Sequence, residues 1–470
     1  MADVFPGPDD TGRHMPSFGK GLIGRGAAAL RTLLTSQHDD QKTQRAAGFA
    51  FGIRVASAGL IYLSQILIAR WLGTFEYGIF VFVWALVLVV GGIASLGFTL
   101  SIQRFVPEYR ERGENNLLRG ILFAGRFIPL ASSTALAAIG AGLVWLLGDV
   151  IPAYYLVPLI LACTCLPLYT VMEVHDGICR AHNWMGLALI PAYIVRPALL
   201  LIIMVAASQS GFEATAVNAL YISIVTLWAA AVVQVVLTAR RLRKVVDRGP
   251  KEVRSVYWTK QSLPITLVDA FALFMFNADV LLISILGTPE QTGVYFAAAK
   301  TLALVSFVTF AVAAASAARY SEYHARGDHV RLQQFVRRSI AWTFWPSLFG
   351  TIVILLAGQF LLSFFGEEFV YGYPIMFILA VGHLARASVG PMERLLNVTG
   401  HQNACARIYM FAFCTNITLN LLLIPTYGVY GAAIATTLAY VLESILLALA
   451  AKRDLSLNVM VWHRQSAEEQ

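Results

Sequence analysis

Residues 263–300 read LPITLVDAFALFMFNADVLLISILGTPEQTGVYFAAAK. They form an apolar run carrying Asp269 and Asp279, the short turn Leu286-Gly287-Thr288-Pro289-Glu290, and a second apolar run entered through Gly293-Val294-Tyr295. The pattern occurs once before. At 214 positions upstream, Leu72-Gly73-Thr74-Phe75-Glu76 joins two apolar runs and is followed, one residue out of register, by Gly78-Ile79-Phe80. The same offset carries Glu108-Tyr109 onto Glu322-Tyr323 and Arg112-Gly113-Glu114 onto Arg326-Gly327-Asp328. Two matches at one offset, each at the same point in the helix order, describe a duplicated membrane unit. Its copies run the same way through the bilayer, with the working site between them.

The composition agrees with a membrane setting. Of 470 residues, 58% are hydrophobic and 13% charged, against roughly 25% charged in a soluble domain. Apolar runs of about 20 residues recur, and the helix is the spanning solution for such runs because it satisfies its own backbone. The spans fall at 46–69, 77–101, 119–147, 151–174, 187–207 and 214–238, then at 262–286, 293–317, 339–357, 373–390, 405–424 and 429–450. The expected fold is therefore an all-α polytopic membrane protein of about twelve transmembrane helices, in two pseudo-symmetric six-helix lobes around a central cavity. Residues 46–238 form the first lobe, 239–261 a basic linker, 262–450 the second lobe, and 1–45 and 451–470 the terminal extensions. The Gly-rich segment 18–34 admits two readings, a helix lying on an anionic leaflet or a disordered tail, and no secretory signal precedes it. The role of residues 1–45 stays open.

Charge distribution orients the chain. The connections holding Arg104, Arg110, Arg112 and Arg119, then residues 240–260, then Arg326, Arg331 and Arg337, are basic, whereas Arg70 is the one basic residue in the opposite set. Lys and Arg mark the cytoplasmic side, so both termini are expected to be cytoplasmic. That asymmetry also accounts for the formal charge of +8 without nucleic acid as a partner. The stretch 240–260 reads as a linker facing anionic lipid, with a lipid-headgroup site as the alternative. The five cysteines lie in or beside apolar segments without zinc-type spacing and read as packing residues.

The short loops on the far side (70–76, 148–150, 208–214, 287–292, 358–372 and 425–428) leave no room for a catalytic domain. No phosphate-binding P-loop, HExxH zinc motif or GxSxG elbow is present. The chain is expected not to be an enzyme and to need no cofactor or metal. Transport would draw on an ion gradient, the membrane potential or the substrate's own gradient.

Ionisable residues inside spans cost about 2.5–3.5 kcal/mol each on insertion scales, and so point to function. Arg54 lies about a third of the way into the first span, and Asp269 stands at nearly the same depth in its repeat mate. If both face the cleft they oppose each other across it; otherwise each is satisfied within its own lobe. Asp279 and Lys300 flank the second turn at equal distances, which brings them to one level as a candidate ion pair. Such a pair either locks two helices or is a switch at which H+, Na+ or an anionic substrate competes. The first copy has Gln65 and Leu86 at the corresponding places. Arg196 sits mid-span beside Pro197, while Arg126 and Arg386 lie nearer the basic mouth. Glu173, His175, Asp176 and Arg180 read mostly as a solvated helix end. The candidate substrate-binding residues are thus Arg54, Arg196, Lys300, Arg126 and Arg386, and the candidate ion-coupling residues Asp269 and Asp279. A cavity lined by cations suits a phosphate or pyrophosphate better than a cationic drug.

The stretch Ala69-Arg70-Trp71-Leu72-Gly73 through Tyr77-Gly78 to Arg104-Phe105-Val106-Pro107-Glu108-Tyr109 resembles the polysaccharide-transporter (Wzx-like) branch of the multidrug/oligosaccharidyl-lipid/polysaccharide (MOP) flippase superfamily. So does Pro425-Thr426-Tyr427-Gly428-Val429-Tyr430-Gly431-Ala432-Ala433. The resemblance covers residues 46–450 and leaves out the amino-terminal extension. It implies alternating access and outward translocation of undecaprenyl-pyrophosphate-linked oligosaccharide repeat units, for exopolysaccharide, capsule or O-antigen, across a bacterial or archaeal inner membrane. A polysaccharide polymerase and export machinery are the partners it suggests. Competing readings are a lipid II flippase, which usually has fourteen spans, and a cation-coupled multidrug extruder, whose cavity should be apolar or acidic. From other classes come a membrane-embedded glycan-assembly enzyme and a non-transporting scaffold, against which the short outer loops and costly buried charges speak.

Overall fold

A computed structural model describes residues 39–455 and 457, with side chains from residue 52 onward except those of 54, 55, 265, 267–269, 272 and 318. The expectations placed on the side chains of Arg54 and Asp269, on the extension before residue 39 and on the tail after residue 457 lie outside the described residues.

The expected spans fall on helical segments, but 77–101, 187–207 and 293–317 are each broken, at residues 95–97, at the π turn 191–195 and at residues 304–305. The first lobe consists of α1 (Asp39–Ala94), α2 (Phe98–Glu111), α3 (Asn115–Leu146), α4 (Ala153–Ala181), α5 (Met185–Ile190) and, after a π turn over Pro191–Val195, α6 (Arg196–Gln209) and α7 (Ala216–Leu242). The second has α8 (Ser255–Leu286), α9 (Pro289–Ala303), α10 (Ser306–Ala325), α11 (His329–Leu356), α12 (Gly358–Ser363) and a 3₁₀ turn over Glu367–Gly372. It continues with α13 (Tyr373–Val389), α14 (Met392–Val398), α15 (Gln402–Tyr427) and α16 (Val429–Leu455). Among the described residues nine helices are long and apolar enough to cross a membrane, ten if the pair α9 and α10, bent by 43°, is one span. One of the nine, Ala56–Glu111, holds two expected spans, and the apolar part of α8 is the shorter helix Leu273–Leu286.

The loop expected at 70–76 shrinks to one residue. An unbroken helix would hold residues 65 and 77 about 18 Å apart, yet the Tyr77 hydroxyl donates to Gln65 Oε1 at 2.9 Å. The chain therefore doubles back at Gly73, whose φ of 72° lies where a Cβ is strained. Its repeat mate Gly287 breaks α8 from α9 at φ −124°, and here contact excludes a side chain. A Cβ would lie 2.9 Å from the Ile283 carbonyl and 2.4 Å from Gln291 Oε1. Thr288 then opens α9 with a capping box closed by Gln291.

The second sequence match is also built twice. Helices α2 and α10 both end in a left-handed glycine, Gly113 (φ 70°) and Gly327 (φ 66°). Each glycine N–H returns to the carbonyl three residues back, on Arg110 or His324, and the next N–H reaches that of Tyr109 or Tyr323. This is a Schellman termination. An Arg112–Glu108 pair at 2.9 Å in one copy matches Arg326–Glu322 at 2.9 Å in the other. Tertiary packing repeats the scheme. α3 lies on α4 and α4 on α7 in the first lobe, as α11 lies on α13 and α13 on α16 in the second.

The lobes meet closely at the end bearing Gly73 and Gly287. A Cβ on Gly78 would fall 1.7 Å from the Pro289 carbonyl oxygen, and one on Gly293 would fall 2.6 Å from that of Thr74, so these backbones touch directly. Thr74 Oγ1 donates to Glu368 Oε2 across the same seam at 3.0 Å. Nearer the linker, Trp258 Nε1 donates to the Tyr109 hydroxyl at 2.9 Å and Ser262 Oγ to Ser101 Oγ at 2.6 Å. The main apolar core, with Ile68, Tyr77, Leu227, Tyr295, Phe365 and Met376, runs through both lobes.

Candidate functional site

Between the lobes lies a cavity of about 630 Å³. Each helix lining it contributes one stripe at helical spacing. From α1 come Ala58, Ile61, Tyr62 and Gln65, then, beyond the Gly73 reversal, Val81, Trp84, Ala85 and Leu88. α4 presents Tyr169, Met172, Glu173 and Asp176, and the second lobe Asn277, Phe296, Lys300, Ala303 and Phe307. The π turn feeds in Tyr193, followed by Arg196, Pro197 and Leu200 from α6. Pro197 has no N–H to offer the carbonyl of the preceding turn, and the chain widens just before it: Arg196 N–H bonds the Pro191 carbonyl, five residues back. π turns are frequent at functional positions.

Among the described residues the cavity holds one cation from each lobe. The Arg196 guanidinium lies over the Trp84 ring, 4.1 Å from its centroid, and its buried Nε makes no hydrogen bond among the described residues. Lys300 Nζ stands 4.9 Å from the centroid of Phe296. No ion pair joins either cation to a described carboxylate. Tyr62 reaches across the lobes, its hydroxyl 3.0 Å from Thr301 Oγ1. The expected pairing of Asp279 with Lys300 does not form. Lys300 turns into the cavity, whereas Asp279, one helix over, faces the interior of its own lobe.

There Asp279 accepts from the Tyr295 hydroxyl at 2.6 Å and from Asn420 Nδ2 at 3.2 Å. Asn420 also bonds Asn416 Oδ1, and Asn416 Nδ2 donates to Thr436 Oγ1. The result is a buried cluster of oxygen donors from α8, α9, α15 and α16. Asn420 Oδ1 is a buried acceptor with no hydrogen-bond donor among the described residues. Oxygen-only sets suit hard cations, although no group of three or more His, Cys, Asp or Glu among the described residues could hold a metal ion.

Two other expected cations lie elsewhere. Arg386 pairs with Glu443, itself 2% exposed, at 3.1 Å, and rests over Tyr440 at 4.7 Å. A cation matched within its own lobe contributes little field to the cavity. Arg126 lies on the outer flank of the first lobe, its Nε donating to the Leu122 carbonyl at 2.7 Å. Conversely, Glu173 and Asp176 line the cavity instead of forming a solvated helix end. Helix α4 continues to Ala181, past the expected limit at 174, so both acids share a face with Tyr169. Asp176 is tied to Arg180 at 2.6 Å. The apolar–acidic stripe 169, 172, 173, 176 was present in the sequence as the signal for this.

Comparisons with known proteins fit this architecture. The chain matches the model of a family described as polysaccharide biosynthesis protein over residues 45–324, and the MatE model over residues 264–422. A probable low-salt glycan biosynthesis flippase, Agl15 of Haloferax volcanii, is 24% identical over 410 residues, covering 84% of this chain and 80% of its own. A multidrug-resistance MATE transporter of the MOP superfamily in an inward-facing conformation superposes with a TM-score of 0.69 at 12% identity, over 86% of this chain and 98% of that one. The lipid II flippase MurJ, inward closed, gives 0.66 at 14% identity, over 86% and 87%. A MOP transporter from Pyrococcus furiosus, described as having a binding pocket of reversed polarity, gives 0.58 at 14%, over 87% and 95%. At such identities the structural likeness concerns the fold.

Proposed function

The chain belongs to the polysaccharide biosynthesis protein family, whose model it matches over 45–324, and from that premise we propose that it is a flippase for a lipid-linked oligosaccharide. The observation carrying this reading is the cavity with Arg196 from one lobe and Lys300 from the other, neither neutralised by a described carboxylate. Two cations in a confined space attract the pyrophosphate of an undecaprenyl-linked repeat unit, and guanidinium and ammonium hydrogen bonds to phosphate are of the strong, charge-assisted kind. Tyr62, Tyr169, Tyr193 and Trp84 offer the sugars ring faces and hydroxyl groups. The prenyl tail stays in lipid while the head group crosses between the lobes. Arg54 belongs to the same proposal through its depth in the first span; Arg126 and Arg386 do not.

Alternating access belongs to the same proposal, with the seam at Gly78 and Gly293 as its far-side gate. Release on the far side requires that close backbone contact to part. In this proposal the basic connections face the cytoplasm and the seam faces the other side of the inner membrane. Arg196 and Lys300 weigh against a cationic-drug extruder, while Glu173 and Asp176, the latter tied to Arg180, share their lining; the Agl15 relative supports a glycan cargo. A second reading concerns energy coupling. The oxygen cluster around Asp279 supports H+ or Na+ as a coupling ion, because a buried carboxylate without a fixed cation is costly unless a mobile one or a proton neutralises it.

The cargo is tested by measuring glycan export in cells, and lipid-linked oligosaccharide flipping in proteoliposomes, for Arg196→Ala, Lys300→Ala and the double variant at matched membrane levels. Each charged contact contributes about 1.5–3 kcal/mol, so single variants should lose roughly 10- to 100-fold in transport, and the double variant should export nothing. Normal polymer yield from the double variant overturns the anionic-cargo proposal.

A further inference from the structure

A second recess, of about 510 Å³, lies on the outer flank of the first lobe, between α3, the end of α7 and the linker that follows it. It shares no lining residue with the central cavity. Its floor is apolar, with Leu122, Phe123, Phe127 and Leu130 from α3 and Leu242 and Val246 from the far wall. Its rim is basic: Arg119, Arg126, Arg243, Arg248 and Lys251, with Asp247 the one carboxylate.

The rim is assembled by specific contacts. Arg119 Nε donates to the Pro250 carbonyl at 2.8 Å, its Nη1 to the Asp247 carbonyl at 3.2 Å, and its Nη2 to Asn116 Oδ1 at 2.5 Å. Gly249 lies against the same guanidinium, where a Cβ would come within 2.8 Å of its atoms. The linker is further pinned by Glu252 N–H on the Asn116 carbonyl at 3.0 Å. Arg119 thus holds the linker over α3 and is itself engaged at all three guanidinium nitrogens. The remaining cations are not. Arg126 spends only its Nε, on a backbone carbonyl, Lys251 lies 4.5 Å from the Phe123 centroid, and Arg243 and Arg248 are exposed. No ion pair among the described residues engages any of the four, and the nearby Glu252 is occupied by Arg254 at 2.6 Å.

From this geometry we infer that the recess binds the head group of an anionic glycerophospholipid of the surrounding bilayer. Charge and depth select that ligand. Arg126 lies seven residues, about 10 Å, further along α3 than Arg119, so the cations descend from the interface towards the hydrocarbon. Below them the exposed Phe127 (59%) and Leu130 (39%) offer a track for an acyl chain. A free phosphate would use the rim and leave that track bare; a zwitterionic lipid would use the track and leave four cations unmatched. Basic pockets of this kind between helices on the cytoplasmic side are suited to anionic head groups. A lipid so held would brace the linker against α3 at the point where the two lobes are joined.

The test uses the full chain in nanodiscs of phosphatidylcholine containing a minor fraction of phosphatidylglycerol. Lipid retained on the protein is quantified by native mass spectrometry, and a photoreactive phosphatidylglycerol is crosslinked and mapped. Crosslinks should fall on α3 and residues 243–251, and retained phosphatidylglycerol should exceed phosphatidylcholine by at least about tenfold, at roughly a factor of five per cation near the surface. The Arg126→Gln/Arg243→Gln/Lys251→Gln variant should lose that preference, whereas Arg326→Gln/Arg331→Gln/Arg338→Gln, equal in charge and remote from the recess, should keep it. Equal loss in both variants would reduce the effect to net charge and overturn the site, as would crosslinks elsewhere. Competition by millimolar inorganic phosphate or pyrophosphate would replace the lipid with a free anion and likewise overturn it. Because crosslink mapping is read on the unmutated protein, the inference stays testable if the triple variant fails to fold.

Discussion

Gln65 and Asp279 occupy the same place in the two copies, 214 positions apart, and the two lobes treat them alike up to a point. Each accepts a hydrogen bond from a tyrosine on the helix after the turn, Tyr77 at 2.9 Å and Tyr295 at 2.6 Å. There the likeness ends. Gln65 borders the inter-lobe cavity, whereas Asp279 sits within hydrogen-bonding reach of Asn420 among Asn416 and Thr436. One backbone unit has thus been given a neutral, cavity-facing amide in one lobe and a buried carboxylate with its own polar shell in the other. A neutral amide needs only hydrogen-bond partners, while a buried charge needs a compensating charge. The asymmetry is the reason the proposed coupling ion is assigned to the second lobe.

Making the second lobe resemble the first is the severest test. Asp279→Asn should remove the response of transport to an imposed H+ or Na+ gradient in proteoliposomes, leaving at most the flux driven by the substrate's own gradient. Adding Gln65→Glu to Asp279→Asn should not restore the response, because the described part of the first lobe offers residue 65 no asparagine pair. A retained gradient response in Asp279→Asn would show that the two positions differ in residue but not in role.

The turn-end seam contrasts the repeat-related glycines Gly78 and Gly293. Gly78→Leu forces a side chain onto the Pro289 carbonyl and should populate the state open at that end. Thiol labelling of Phe369→Cys, in a background without the five native cysteines, should rise at least about fivefold, the signature of a shifted two-state equilibrium. Gly293→Ala, whose Cβ would meet the Thr74 carbonyl at 2.6 Å, should act in the same direction and less strongly. Unchanged labelling in both would mean that the seam does not gate.

The second lobe also buries an ion pair, Arg386 with Glu443, that has no counterpart among the described residues of the first. Arg386→Met alone should lower thermal stability by roughly 3 kcal/mol, the lower end for an orphaned buried partner because Arg386 keeps 28% exposure. Adding Glu443→Leu should recover most of that loss. A double variant no better than the single would give the pair a role beyond mutual neutralisation. The smallest effects belong to the duplicated caps. Gly113→Ala and Gly327→Ala should each cost about 1 kcal/mol, and nearly the same amount, since both glycines hold the same left-handed turn. A large difference between them would break the structural equivalence of the repeats.

The fold was largely legible because its determinants are local or periodic. Apolar runs, basic connections and the shared Leu-Gly-Thr and Arg-Gly turns are properties of the chain itself. Gly73 marked a turn, although the sequence overstated its length, since one left-handed glycine suffices to reverse a helix. The site was legible only in part. Arg196 and Lys300 stood out because a charge inside an apolar run is conspicuous. Asn416, Asn420 and Thr436, which surround Asp279, are unremarkable in α15 and α16 and gain meaning only when those helices pack on α8. The equal spacing of Asp279 and Lys300 from the turn bears on their height and says nothing of azimuth. Helix rotation sends one into the lobe and the other into the cavity.

The sequence alone determined the membrane habit, the duplication and the apolar runs that become helices, because backbone hydrogen bonding in lipid leaves few other solutions for such runs. Only tertiary structure decided which charges meet, which are neutralised at home and which face open space. Those outcomes depend on how helices far apart in the chain are rotated against one another, and rotation is set by the packing of whole faces, not by any single residue.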